Sequence, residues 1–196
     1  MNKKRVGIYL FKDVEVLDFA GPFEVFSVAF ASAGNIEEKL FNVSTVSENG
    51  EAVTARNGLR VVPDYSLSTA PAFDILVIPG GKGARETEMH KERLHHWIKE
   101  QQRSAEIITS VCTGALVLAK SGLLNGKCAT THWASYERLE EFKEVEVLRN
   151  VKFVDEDSII TSGGISAGIN MAFHIINKLH GEQAVKLTAE WMEYDL

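Results

Sequence analysis

A doubly wound α/β domain, with a mainly parallel sheet covered by helices on both faces, is the fold that the sequence predicts. Two observations predict it. Short apolar runs of buried-strand character alternate along the chain with stretches whose apolar residues recur at helical spacing. No repeat, low-complexity tract or linker interrupts this alternation, and 196 residues at 45% hydrophobic and 24% charged have the make-up of one ordinary globule, spanning 1–196.

The elements follow in order. Val6 to Phe11 reads as the first strand, and "GPFEVFSVAFASAG" as a helix that begins near Gly21-Pro22 and is ended by Gly34. "FNVSTVS" is a strand, and "AVTARNGLRVVPD" gives two short strands joined by Asn57-Gly58, a strong hairpin signal. "FDILVIPGG" is a strand run into a double-glycine turn. Glu86 to Gln102 is mostly helical, with Leu94, Trp97 and Ile98 on one face. In "IITSVCTGALVLAKSGLL" an apolar strand turns into an apolar helix. "GKCATTHW" adds a short strand, "ASYERLEEF" a helix, "VKFVDEDSIITSGG" a hairpin turning at Glu156-Asp157, and "SAGINMAFHIINKLHG" a long helix. Strands separated by helices imply parallel pairing through right-handed crossovers.

Charge and composition exclude several functions. The formal charge is −6, and Lys and Arg are dispersed rather than striped, so a nucleic-acid surface is not expected. The basic opening "MNKKRVGIYLF" imitates a signal peptide, but its apolar run stops at Phe11 and "KDVE" follows. No other run approaches the roughly 18 apolar residues of a membrane span, so no membrane association is expected. Two cysteines far apart in sequence suggest no disulfide framework, which points to a reducing, cytoplasmic compartment.

In a sheet of this kind ligands bind where strands deliver their C-terminal ends into loops. Three glycine-bearing strand ends arrive there, "IPGG", "SVCTG" and "TSGG", and Cys112 lies on the middle one. A sharp strand-to-helix turn lifts its central side chain out of the sheet and needs small neighbours two residues to either side, the mechanical content of G-x-S-x-G. Here Ser110 and Gly114 occupy those places, so the motif is degenerate. A helix starting at Thr113 would aim its amides and positive dipole end at the sulfur and favour thiolate. The plain alternative is a structural thiol at a tight turn.

The stretches "GIYLFKDVEVLDFAGPFEVF", "FDILVIPGGKG", "SVCTGALVLAKSGLLNGKCATTHWA" and "ITSGGISAGINMA" occur in the order of the ThiJ/PfpI superfamily, which the chain resembles nearly end to end. That superfamily has a flavodoxin-like fold similar to the class I glutamine amidotransferases. "LDFAGP", "CTG" and "THWA" look most like its isonitrile hydratase branch and like the sensor domains of AraC-type regulators. The resemblance implies that Cys112 is the nucleophile, that Asp18 is the carboxylate hydrogen-bonded to its sulfur, and that amides around Gly80, Gly81 and Thr113 line an anion-binding side. It also implies a homodimer acting on a small molecule, with no cofactor and no metal.

Each partner has a second reading. Asp18 could cap the helix beginning near Gly21-Pro22. Thr113 is either an N-terminal helix residue or a hydroxyl donor to the reacting group. His132 could approach Cys112 as a base, or donate to backbone carbonyls. Cys128, in an apolar strand, reads as core, and Glu24 as part of a solvated helix face or a polar neighbour of the pocket. His180 and Glu182 match the His-x-Glu of the glutamine amidotransferase triad. Here, however, His180 ends a long apolar-periodic helix before a glycine, where a basic residue is an ordinary C-terminal signal.

Without that triad, amide transfer and proteolysis lose their base. A thiolate, an acid and backbone donors suit addition to an electrophilic carbon. The expected activity is hydration of an isonitrile to an N-substituted formamide, with Asp18 as proton source and Thr113 orienting water or the substrate nitrogen. The alternatives are redox or small-molecule sensing through Cys112, and glyoxalase III-like hydration of aldehydes. AraC-type regulators carry a C-terminal helix-turn-helix domain, whereas this sequence ends at Leu196 soon after its last helix, so DNA binding is not expected.

Overall fold

The computed structural model describes residues 3–32 and 34–196. Met1 and Asn2 of the basic opening, and Ala33 within the helix expected to reach Gly34, lie outside them. The chain runs through β1 (Lys4–Leu10), α1 (Val16–Val28), β2 (Phe41–Ser47), β3 (Val53–Thr54), β4 (Arg60–Val61), β5 (Tyr65–Ser66), β6 (Ile75–Ile78), α2 (Lys82–Glu86) and α3 (Glu92–Gln102). It continues through β7 (Ile107–Val111), α4 (Gly114–Lys120), β8 (Lys127–Ala129), α5 (Tyr136–Glu140), β9 (Val145–Val147), β10 (Phe153–Glu156), β11 (Ile159–Ser162), α6 (Ala167–His180) and α7 (Glu182–Trp191).

Seven strands form one sheet in the order β10-β11-β7-β6-β1-β2-β5. Every pairing in it is parallel except β10 with β11. A parallel sheet must be covered on both faces, and the central strands accordingly read as unbroken apolar runs: Ile75–Ile78 is buried throughout, as is Ile107–Val111. Helices α1, α6 and α7 pack together on one side, and α2, α3, α4 and α5 form the other group. The expected flavodoxin-like, doubly wound architecture is the one observed.

The first helix departs from the sequence reading. It starts at Val16 rather than near Gly21-Pro22, so Asp18 lies in its first turn, and it stops at Val28, well before Gly34. Pro22 sits inside the helix. The Gly-Pro pair serves packing instead of helix initiation. A Cβ on Gly21 would meet Ile169 of α6 at 2.9 Å, and one on Gly168 would meet Val111 at 3.0 Å and Pro22 at 3.4 Å. Small and flat residues let α1 and α6 approach each other and the strand that leads to Cys112. At its far end Ala29 turns extended, and Phe30 bridges to Lys39.

Other elements stand close to expectation. Strands β3 and β4 pair antiparallel around Asn57 (φ 64°) and Gly58 (φ 97°), as the Asn-Gly signal requires. Leu94, Trp97 and Ile98 are the buried face of α3. The β10–β11 hairpin pairs Glu156 with Ile159, which places its two-residue turn at Asp157-Ser158, one residue later than read, with Asp157 in the left-handed region (φ 63°). Strand β8 leaves the main sheet to pair with β9. Cys128 on it is half-buried beside Glu146 and Glu156 rather than in the core, and its amide donates to Glu156 at 3.1 Å. Among the described residues no helix is long and apolar enough to cross a membrane.

One of the tightest contacts in the fold is where α4 leaves β7. A Cβ on Gly114 would lie 2.0 Å from the Ile78 carbonyl oxygen and 3.0 Å from that of Pro79, both backbone atoms of the neighbouring strand end. Gly114→Ala therefore forces β6 and α4 apart, with an expected loss of about 2–4 kcal/mol. Urea unfolding should show a lower midpoint with an unchanged slope.

Candidate active site

Strand β7 ends at Val111 and α4 begins at Gly114, so Cys112 and Thr113 alone make the corner. Cys112 adopts φ 56°, an uncommon conformation for a residue with a side chain, and its amide is shared between the carbonyls of Ser162 (3.2 Å) and Gly163 (3.1 Å). Thr131 Oγ1 donates to the Cys112 carbonyl at 2.7 Å. The elbow is thus held from both sides by the ends of neighbouring strands.

Gly80 and Gly81 close the second side. A Cβ on Gly80 would meet the Thr113 nitrogen at 2.5 Å and Cys112 Cβ at 2.8 Å, so only glycine lets this loop lie against the corner. Gly81, at φ 126°, is sewn to the segment before α1, where a Cβ would strike the Asp13 oxygen and the Glu15 nitrogen at 2.5 Å. The Gly81 amide donates to Thr113 Oγ1 at 2.9 Å, and that hydroxyl donates to the Gly81 carbonyl at 3.1 Å. The Gly80 amide donates to Asp18 Oδ2 at 3.0 Å. Both glycine amides expected to line an anion-binding side are therefore spent on Asp18 and Thr113. The groups left facing the sulfur are the amide and the hydroxyl of Thr113.

Asp18 has no accessible surface. It does not cap α1, because it lies inside the first turn, after Glu15 at the cap position. Its Oδ2 is held by Gly80, its Oδ1 is buried without a conventional partner among the described residues, and the Cys112 thiol and the Ile165 amide face the carboxyl group. Burial pushes its carboxyl up to about 7; the charge of Glu15 adds to the rise, while the Gly80 and Ile165 amides and the thiol oppose it. Burial also pushes the Cys112 thiol up to about 12, reinforced by the Asp18 charge and opposed by the Thr113 amide and hydroxyl.

The helix-start effect on the sulfur is present, but it loses to desolvation and a like charge. The expected preference for free thiolate is thus corrected. Two acids in contact with little solvent behave as a pair, and between about 7 and about 12 this pair holds one proton and one negative charge. Moving the proton from sulfur to carboxyl makes a thiolate and a loaded acid in one step, with no change of net charge.

His132 sits half-buried at the rim. Its Nδ1 accepts from the Ala134 amide at 3.2 Å, which places the proton of the neutral ring on Nε2, and its ring lies where a Cβ on Gly164 would be, 2.0 Å from Cδ2. Burial and the charge of Arg85 hold it below the ordinary histidine value, against Glu15. Among the described residues its ring makes no hydrogen bond to a backbone carbonyl. Glu24 is exposed on α1, as a solvated face requires.

His180 is remote. It ends α6 ahead of Gly181 (φ 82°), and its ring packs edge-on against Phe41, which opens β2 and pairs with Lys4 at the start of β1. Cys112 follows the opposite, C-terminal ends of the strands. Among the described residues no three His, Cys, Asp or Glu side chains stand together as a metal site.

The sequence reading missed Glu15, Arg56, Arg85 and Ile165. Glu15 is paired with Arg56 at 3.1 Å, and Ile165, a β-branched residue at φ 53°, turns its amide toward Asp18. They lie on segments far apart in sequence that the topology brings to one rim, which no local pattern exposes.

The sequence profile of the DJ-1/PfpI family matches residues 4–178. The isonitrile hydratase of Pseudomonas putida is 35% identical over 97% of this chain and 78% of its own length. The transcriptional regulator GbdR of Pseudomonas aeruginosa is 28% identical over 99% of this chain, which spans only 52% of that regulator. Among solved structures, a THiJ/PfpI family protein from Pseudomonas syringae superimposes with a TM-score of 0.87 at 25% identity, over 100% of this chain and 77% of its own.

Replacing Asp18 by Asn removes the like charge, so the Cys112 thiol should titrate below its wild-type value of about 12, seen as earlier onset of thiolate absorbance in a Cys128→Ser background. Stability should respond as well. A carboxyl raised from an unfolded value near 4 to about 7 binds its proton more tightly when folded, so wild-type stability falls as pH rises through that window and levels off above it. The Asn variant should lose this part of the pH dependence and be the more stable protein at pH 8. His180→Ala should leave the thiol titration where it was.

Proposed function

The chain belongs to the DJ-1/PfpI family, and from that premise we propose that it is a cysteine-dependent hydratase of small electrophiles, converting isonitriles to N-substituted formamides as a cytoplasmic homodimer. The single observation that carries the reading is the burial of the Asp18 carboxyl against the Cys112 thiol, which pushes both groups up.

The steps follow from the proton that the pair holds. The thiol proton passes to the Asp18 carboxylate, and the thiolate attacks the terminal carbon of the isonitrile. As the S–C bond forms, that carbon takes the proton from Asp18, giving a thioimidate, R–N=CH–S–Cys112. Water then adds to the same carbon while Asp18, again a carboxylate, accepts one of its protons and the nitrogen gains one. Collapse of the adduct expels the sulfur, returns a proton to it and releases R–NH–CHO. Asp18 serves as acid and then base, which requires a carboxyl poised near the working pH. The Thr113 amide holds the charge on sulfur whenever the thiolate forms, and its hydroxyl fixes the Gly81 loop against the corner. Water is excluded from the resting pair, which limits wasteful reactions of the thiolate.

This chemistry differs from that of a redox sensor. An oxidant-sensing cysteine is accessible and largely thiolate at neutral pH, whereas Cys112 is buried and its thiol is pushed up. Aldehyde hydration would use the same pair and belongs in the substrate comparison.

Purified protein offered alkyl and aryl isonitriles, methylglyoxal and peptides should yield N-formamides from the isonitriles. The rate should climb with pH through about 7 and hold level into the alkaline range. Asp18→Asn should lower kcat by roughly two to four orders of magnitude, and Cys112→Ala should abolish turnover. Formamide production surviving in Asp18→Asn would remove Asp18 from the proton path, and none from any isonitrile would refute the hydratase reading.

A further inference from the structure

Arginine side chains are strongly solvated, and one that is taken out of water is normally given a carboxylate. Every arginine of this chain is exposed except Arg85, which is half-buried on α2. Among the described residues Arg85 makes no ion pair and no side-chain hydrogen bond, although carboxylates are close in sequence and space. Glu86 is taken by Lys82, Glu88 by Tyr9 and Lys91, and Glu15 by Arg56.

Its position gives that unspent charge a use. The helix that bears Arg85 starts at Gly81, whose amide is bonded to Thr113 next to the sulfur. On the other side its field reaches His132, whose ring lies over Gly164, beside the Ile165 amide that faces Asp18. The neutral His132 ring keeps its N–H on Nε2, adding an uncharged donor to the same rim. Trp133, at 73% exposure, and Leu17 and Ile165 add apolar surface that would cover the body of a small ligand.

We propose that Arg85 is a specificity-determining residue of the Cys112 site and that the electrophiles this site takes best carry a carboxylate on their substituent. The guanidinium fork matches a carboxylate in two parallel hydrogen bonds and would hold the reacting carbon toward the sulfur. For substrate turnover this rests on the hydratase reading, but recognition of the anion does not.

Two alkylating reagents of nearly equal size separate the two. Iodoacetate and iodoacetamide both form an S–C bond to Cys112 as the C–I bond breaks, iodide leaves and the thiol proton is lost; only iodoacetate is an anion. In a Cys128→Ser background, the iodoacetate-to-iodoacetamide rate ratio at Cys112 should exceed that of free cysteine by about tenfold, which is about 1.4 kcal/mol of selective binding. Arg85→Gln should bring the ratio down to the free-cysteine value, and Arg85→Lys should keep most of the excess, since it retains the charge. In parallel, kcat/KM for isocyanoacetate should exceed that for its methyl ester, and the preference should vanish in Arg85→Gln.

An equal ratio in wild type and Arg85→Gln overturns the inference, as does a Cys112 that neither reagent reaches. So does a change of association state in Arg85→Gln, measured by light scattering, with the ratio unmoved, because the partner of Arg85 would then be a carboxylate of a second copy. If the ratio behaves as expected while no isonitrile is turned over, the hydratase reading fails and the anion site stands.

Discussion

A carboxyl group with no accessible surface stands against a thiol, and the rest of the site is arranged around the cost of that contact. Two acids in water would each ionise at their own pH. Out of water, the second charge is opposed both by desolvation and by the first charge, and the pair keeps one proton between about pH 7 and about 12. A hydrogen-bond partner for Oδ1 would lower that cost, yet among the described residues that atom has no conventional donor. The contact is destabilising for the fold, which is the usual mark of a group kept for its chemistry.

Holding the pair together needs a rigid frame. Asp18 comes from the first turn of α1, Cys112 from the end of β7, and the amide that binds the carboxyl from the loop after β6. Gly80 and Gly81 allow these three to meet, because any side chain on either would strike backbone atoms within 2.5 Å. Their amides are thereby consumed, so the frame that positions the pair leaves the amide and hydroxyl of Thr113 facing the sulfur. Charge on the incoming molecule is met further out, on the rim where Arg85 and His132 lie.

Much of this was legible in the sequence. The buried strands announce themselves because a parallel sheet hides both faces, and Cys112 stands out because small residues flank it on a strand-to-helix turn. Asp18 is identified by family resemblance, but its local context misleads: Gly21-Pro22 looks like a helix start and is in fact the crossing of α1 with α6. The helix-dipole argument for a free thiolate is correct in sign and too small, since sequence shows the amide at the helix start but not the depth of burial around the sulfur. Cys128 looks like core because its neighbours are apolar, yet β8 leaves the main sheet for β9 and sets it between two glutamates. Arg85 on α2, Glu15 ahead of α1 and Ile165 ahead of α6 are far apart in sequence, and only the folded chain brings them to one rim.

The shared proton is the central claim, and the carboxyl carbon of Asp18 reports it directly. In protein labelled with 13C at aspartate carboxyls, the Asp18 resonance should titrate at a pH near 7, with no thiolate forming independently below it. An Asp18 signal that titrates near 4, like a solvated aspartate, together with a Cys112 thiol that ionises on its own at or below its ordinary value, would contradict the account.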